Sequence, residues 1–308
     1  MSLTVVGSIA FDAVRTPFGE RDRMLGGSAV HFALAARFFT DVHVVGPVGE
    51  DFSEEHMDLL RSRGVDVSDI ERVGGGETFF WRGHYEYDLN VAHTDDTQLN
   101  VFGEFEPKLS DASRGAEVLF LANIQPDLQR QVRAQCEGAR FAALDSMNLW
   151  IDTARDSLTA AVREVDCLII NDAEIRQLTD EANLARAAKA VMELGPRVVV
   201  AKQGEYGAAL FTPTGFFALP GFPLEDVRDP TGAGDSFAGG FLGYLDGQAE
   251  RSGDDLILDD ATLRRAMAHG TVLASFNVED FGTERVARLE RSDIDARLTE
   301  LRAMTEFG

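Results

Sequence analysis

Cysteine and lysine are scarce in this chain, and long apolar runs are missing. Its 308 residues include two cysteines, Cys136 and Cys167, each in an apolar or helical stretch and neither in a Cys-x-x-Cys pair. A disulfide framework or zinc knot is therefore excluded, and the expectation is reduced, buried thiols in a cytoplasmic protein. No apolar run approaches the ~18 residues of a membrane span, and Met1 to Ala10 enters a strand-like segment with no basic stretch before it, so no export or membrane signal is expected. Lysine occurs only at 108, 189 and 202, and the formal charge is -23. Such a surface repels nucleic-acid phosphates and anionic membranes, which leaves small molecules as the expected partners. The acidic, lysine-poor composition fits a salt-rich cytoplasm, where counterions screen self-repulsion, and equally a GC-rich genome that exchanges Lys for Arg. Missing as well are a Gly-x-x-x-x-Gly-Lys-Ser/Thr loop, a Gly-x-Ser-x-Gly elbow, a His-Glu-x-x-His pair and any Cys/His cluster suited to zinc.

What is present is an ordinary globular composition, 44% hydrophobic and 9% aromatic, at a length sufficient for a large core. Short apolar runs recur at 3–9, 42–48, 118–123, 141–145, 167–171 and 198–202, separated by helical patterns such as 29–39, 127–136 and 184–194. Runs of this kind read as buried parallel strands in a three-layer α/β/α sandwich with a mostly parallel central sheet. No repeat or Pro- or Ser-rich linker divides the chain, so one domain over 1–308 is expected. From Phe79 to Val91 apolar and polar residues alternate, the signature of a half-exposed antiparallel strand. With the polar stretch from Phe11 to Arg23 it predicts a small separate sheet.

The most informative string is Asp229-Pro230-Thr231-Gly232-Ala233-Gly234-Asp235, followed by the apolar stripe Ala238, Phe241, Leu242 and Leu245 of a helix beginning near Gly234. A glycine turn opening onto a helix N-terminus presents unpaired amides at the positive end of the dipole and cradles a phosphate. An acid inside an anion cradle is electrostatically costly for simple binding, but suits a base that takes a proton from a hydroxyl as a phosphoryl group arrives. A plain helix cap by Thr231 or Asp235 is the alternative.

Further candidates sit at predicted strand ends or on helices. Gly26 and Gly27 precede a helix carrying His31, and paired glycines either let backbone approach a polyol or simply turn the chain. Asp12 follows the first strand, where a carboxylate can accept two hydroxyl hydrogen bonds. Asn171 and Glu174 either hold Mg²⁺ through its water shell or form a capping box. Lys202, Gly204 and Gly207 form a loop that also fits a hairpin turn, and His269 lies on a late helix.

The 229–235 string resembles the Asp-Thr-x-Gly-Ala-Gly-Asp signature of the PfkB carbohydrate kinases, the ribokinase-like sugar and nucleoside kinases, in the variant with Pro after the first Asp. The likeness extends from Gly7 to Gly282 in the expected motif order. It implies a ribokinase-like fold with a small β-sheet lid, formed by about 10–25 and 76–104, that closes over the acceptor and offers a homodimer face. It further implies ATP-dependent phosphorylation of an alcohol on a sugar or sugar-like molecule, with Asp235 as catalytic base and Gly232, Ala233 and Gly234 as the anion hole. Asp12, Gly26, Gly27, His31, Asn123 and Trp81 are then expected to bind the acceptor, His31 standing where the family carries Asn. Lys202, Gly204, Gly207, Thr231 and His269 are expected to bind ATP, and Asn171 and Glu174 to hold Mg²⁺ through water. A monovalent cation is compatible with the pattern. Ala10 and Asn123 depart from the ribose-binding pattern and disfavour ribose. Two alternatives stand beside this reading: a nucleoside kinase with Trp81 or Tyr85 stacked on a base, and a non-catalytic ligand sensor that kept the fold.

Overall fold

The computed structural model describes residues 2–248, 250–252 and 255–306. Among these, thirteen strands build two sheets: β1 (Ser2–Val6), β2 (Ala10–Thr16), β3 (Gly19–Gly26), β4 (Asp41–Val48), β5 (Val65–Arg72), β6 (Phe79–His84), β7 (His93–Gln98), β8 (Val118–Leu121), β9 (Phe141–Leu144), β10 (Cys167–Asn171), β11 (Val198–Lys202), β12 (Ala208–Thr212) and β13 (Gly215–Leu219). The large sheet has the order β13-β12-β11-β10-β9-β8-β1-β4-β5. From β5 to β11 every neighbour is parallel. This follows from the sequence: β8 and β9 are wholly apolar and buried along their length, a pattern compatible only with a sheet covered on both faces. Two hydrophobic cores lie on its two sides, one containing Phe32, Phe120 and Phe241, the other Leu119, Leu144 and Val191.

β12 and β13 add antiparallel strands to the mostly parallel sheet, and the 202–207 segment is the hairpin connection that its two glycines fit. One feature departs from the expectation. The alternation over 79–91 carries only one short strand, β6, which ends at His84. Tyr85 then turns inward and is buried, while Tyr87 is 88% exposed. Asp88 stops the extension by accepting hydrogen bonds from the Asn90 backbone and side-chain amides, an Asx-type turn. β6 pairs parallel to β2 and antiparallel to β7, giving a four-stranded sheet of order β3-β2-β6-β7.

The helix Ala233–Gln248 is wedged between the helices Ser28–Ala36 and Asp260–Asn277. Close approach explains its glycines. A Cβ on Gly239 would collide with the Phe32 carbonyl, and one on Gly240 with the His269 carbonyl and Gly270. No helix among the described residues is long and apolar enough to cross a membrane.

Gly239→Ala should therefore destabilise the fold by about 1–3 kcal/mol despite alanine's better helix propensity, because the added methyl overpacks a backbone contact. Gly138→Ala, where a Cβ meets nothing within 4 Å, should stay within about 0.5 kcal/mol of the parent. Urea unfolding of the two variants checks the pair.

Candidate active site

Parallel strands deliver their C-terminal ends to one edge, and the polar residues that follow them gather there. Asp12 lies near the start of β2, Asp145 follows β9, Asn171 ends β10 with Glu174 just beyond it, and Lys202 ends β11. The segment from Asp229 to Asp235 closes over this edge. Asp229 is fully buried and accepts hydrogen bonds from Thr231 N–H at 2.9 Å and Gly282 N–H at 2.9 Å. Gly232 takes φ +76°, a left-handed turn that favours glycine, and the helix starts at Ala233, within one residue of the predicted position.

The electrostatics of this edge centre on Lys202. Its Nζ lies 2.9 Å from Asp145 Oδ2 and rests against Gly234, where a Cβ would sit 3.0 Å away. Burial alone would lower this ammonium, but Asp145, Glu174 and Asp235 together hold it above its ordinary value. Burial pushes the Asp235 carboxyl up to about 7, with Asp145 adding to the rise and Lys202 opposing it. Glu174 is pushed to about 7 chiefly by burial and then by Asp145. A carboxyl poised near neutrality at a helix N-terminus can exchange a proton with a hydroxyl, and the adjacent lysine and amides can receive an anion.

A second cluster is organised around Asp12, which is buried and raised to about 7 by burial, then by Asp229 and Asp235, against a backbone hydrogen bond at Gly27. Gly26 has no room for a Cβ because the Asp12 carboxyl occupies that space, and Gly27 sits at φ +95° against the Ser8 carbonyl. Thus each glycine of the pair has its own requirement. Trp81 lies opposite Asp12 in the β2–β6 register and donates its indole N–H to Thr94 at 3.2 Å.

Several predicted residues sit differently. His31 does not face an open acceptor site: its ring packs where a Gly232 Cβ would be, and its Nδ1 is 2.9 Å from Asn277 Oδ1. His269 is not beside the glycine loop. It is eight residues before Asn277, about 12 Å down the helix, stacked on Tyr244 at 4.2 Å and edge-on to Phe39. Its helix is held there by the Gly240 and Gly270 contacts, so the imidazole enters an aromatic cluster. Both histidines are pushed down to about 4 by burial. Asn123 accepts from Trp150 Nε1 at 2.9 Å and contacts Met147 Sδ at 3.1 Å, so its amide is engaged within the protein. Asn171 and Glu174 form the reciprocal capping box of the helix Asp172–Thr179. Among the described residues no three His, Cys, Asp or Glu side chains group closely enough to hold a metal ion. Tyr85 is a buried strut and not a stacking platform, its hydroxyl 3.3 Å from Thr231 Oγ1.

Three site residues escape the sequence reading. Asp145 carried a usable signal, an acid closing an apolar strand run exactly as strand-end ligand sites require in an open α/β sheet. Asn277 and Asn90 carried none. Asn90 Oδ1 accepts from Glu205 N–H at 3.1 Å and fills the space beside Gly204, whose φ is +58°. The small sheet thereby reaches the Lys202–Gly207 loop directly.

Comparison with known proteins agrees with this geometry. Residues 3–288 match the model of the pfkB family carbohydrate kinases. A cytidine kinase of Thermococcus kodakarensis is 29% identical over 256 residues, covering 80% of this chain and 90% of that protein. An ATP-dependent ribose-1-phosphate kinase of Halopiger xanaduensis is 30% identical over 236 residues, covering 74% and 76%. Among solved structures, an E. coli chain described as a ribokinase II in complex with ATP and Mg²⁺ superposes with a TM-score of 0.79 over 97% of this chain and 99% of that one, at 17% identity. The chain belongs to the pfkB family of carbohydrate kinases, and is a phosphotransferase whose acceptor is an alcohol group of a sugar or sugar-like molecule.

Proposed function

We propose that this kinase phosphorylates a ribosyl compound carrying a substituent at C1, a nucleoside or a sugar phosphate, with Asp235 as catalytic base. The observation that carries the proposal is the placement of Asp235: half-buried, raised to about 7, at the first turn of the glycine-loop helix and within electrostatic reach of both Lys202 and Asp12. The C1 substituent is supported by the names of the relatives, which act on cytidine and on ribose 1-phosphate. The residues present suit a nucleotide phosphate, since the Gly232 to Gly234 amides open onto a helix N-terminus and Lys202 leans on Gly234. MgATP supplies the transferable phosphoryl group when bound.

Asp12 orients the acceptor by accepting from its hydroxyls, with Gly26, Gly27 and Trp81 shaping the wall around it. Asp235 takes the hydroxyl proton. The Gly232, Ala233 and Gly234 amides and Lys202 stabilise charge developing on the transferred group. Asn171 and Glu174, which cap their own helix, would hold Mg²⁺ indirectly when the metal accompanies the nucleotide. Thr231, Gly204 and Gly207 line the nucleotide, and the small sheet acts as the lid. A sensor would have no use for a base placed inside an anion cradle. The buried, raised thiols Cys136 and Cys167 suit a reducing cytoplasm, and the exposed Tyr87 and Leu99, which flank β7, are compatible with a homodimer contact through the lid.

Asp235→Asn should lower kcat by about 10²–10⁴-fold with MgATP affinity changed less than threefold; steady-state kinetics and calorimetry check both. In the parent enzyme the rate should fall as pH drops through about 7, because the protonated carboxyl cannot act as base.

The same shift has a stability consequence of definite sign. A carboxyl whose folded pKa lies above its unfolded value binds more protons in the folded state between about 4 and 7. It therefore lowers stability as pH rises through that window. Asp235→Asn should raise the melting temperature of the ligand-free protein at pH 8 and change it little at pH 4, as followed by calorimetry.

A further inference from the structure

Asn277 is assigned no substrate contact of its own, yet its side chain holds both ends of the segment that contains the glycine loop and Asp235. It is fully buried at the last residue of the helix Asp260–Asn277. Its Nδ2 donates to the Thr231 carbonyl at 2.7 Å, its Oδ1 accepts from Ser236 Oγ at 3.0 Å, and the same oxygen lies 2.9 Å from His31 Nδ1. Chemistry fixes the amide orientation. The Thr231 carbonyl can only accept, so Nδ2 must face it and Oδ1 must face the other two groups. His31 is then the Nδ1–H tautomer, and its buried Nε2 has no hydrogen-bond partner among the described residues.

Thr231 immediately precedes Gly232, and Ser236 immediately follows Asp235. The His31 ring backs the loop at Gly232 itself. His31 also belongs to the helix entered through Gly26 and Gly27, the pair packed on Asp12. One amide thus sets the front, rear and back of the anion cradle, and links it to the element that shapes the acceptor wall.

We propose that Asn277 is a positioning residue for phosphoryl transfer, with His31 and Ser236 as its partners. Displacements of about 1 Å at a reacting centre cost on the order of 10²-fold in rate, so a residue fixing the loop from behind acts on kcat more than on binding. The inference rests on the proposed roles of Asp235 and the 232–234 amides.

The test uses the full chain with MgATP and whichever of cytidine, inosine and ribose 1-phosphate turns over fastest. Asn277→Asp replaces the donor facing Thr231 by an acceptor, and should lower kcat about 10²-fold while KM for either substrate and the Kd for MgADP change less than threefold. Ser236→Ala removes a single hydrogen bond and keeps the fold if Asn277→Asp does not; it should lower kcat at least fivefold, again with KM nearly unchanged. Amide hydrogen exchange supplies a readout independent of turnover: in both variants the 231–236 segment should exchange at least fivefold faster, with residues 238–245 unchanged. Parent-like kcat and parent-like exchange in folded variants would overturn the positioning role, as would a loss confined to KM. A parent enzyme that transfers to none of the three acceptors removes the proposed acceptor class, and the exchange measurement still decides the role of Asn277.

Discussion

A single lysine facing three carboxylates is the constraint around which this site is arranged. Lys202 is the only one of the chain's three lysines that is withdrawn from solvent, half-buried at the end of β11, Lys108 and Lys189 being exposed. In a protein of formal charge -23, an approaching triphosphate meets repulsion from most directions, and the positive potential is concentrated at Lys202 and the 233–248 helix N-terminus. Asp145, Glu174 and Asp235 together hold the ammonium above its ordinary value, so burial does not strip the lysine of its charge. The position of the helix follows from the same requirement. It must bring Gly234 against the lysine, and it is held there by glycine contacts to the helices on both sides.

Much of this was legible in the sequence, because its causes are local. The buried runs at 167–171 and 198–202 coincide with β10 and β11, and the glycine string lies at a helix start, since turn chemistry and apolar periodicity are properties of a few consecutive residues. The Gly26–Gly27 pair was legible as a special backbone, but its reasons were not: one glycine makes room for Asp12, the other for a left-handed turn.

What stayed hidden depends on packing between distant segments. His31 and Asn277 are 246 positions apart, and no window of sequence pairs them. His269 reads like a ligand on a helix face until Phe39 and Tyr244 are placed beside it. The alternation from Phe79 to Val91 is real, yet the Asp88–Asn90 turn and the burial of Tyr85 stop the strand after His84. Periodicity states what a segment can be, and tertiary contacts choose where it ends.

The hydrogen bonds that knit the site join the two ends of the chain. Thr16 bonds to Arg228, Tyr85 meets Thr231, Asp229 takes Gly282, and Thr283 reaches Leu25. Contacts so remote in sequence form after local ones, because closing a long loop costs entropy before it yields any contact. A chain cut before the helix Asp260–Asn277 would keep every strand from β1 to β13, yet Thr231 and Ser236 would lose the amide that bridges them, so the sheet and the glycine loop draw their support from opposite ends of the sequence.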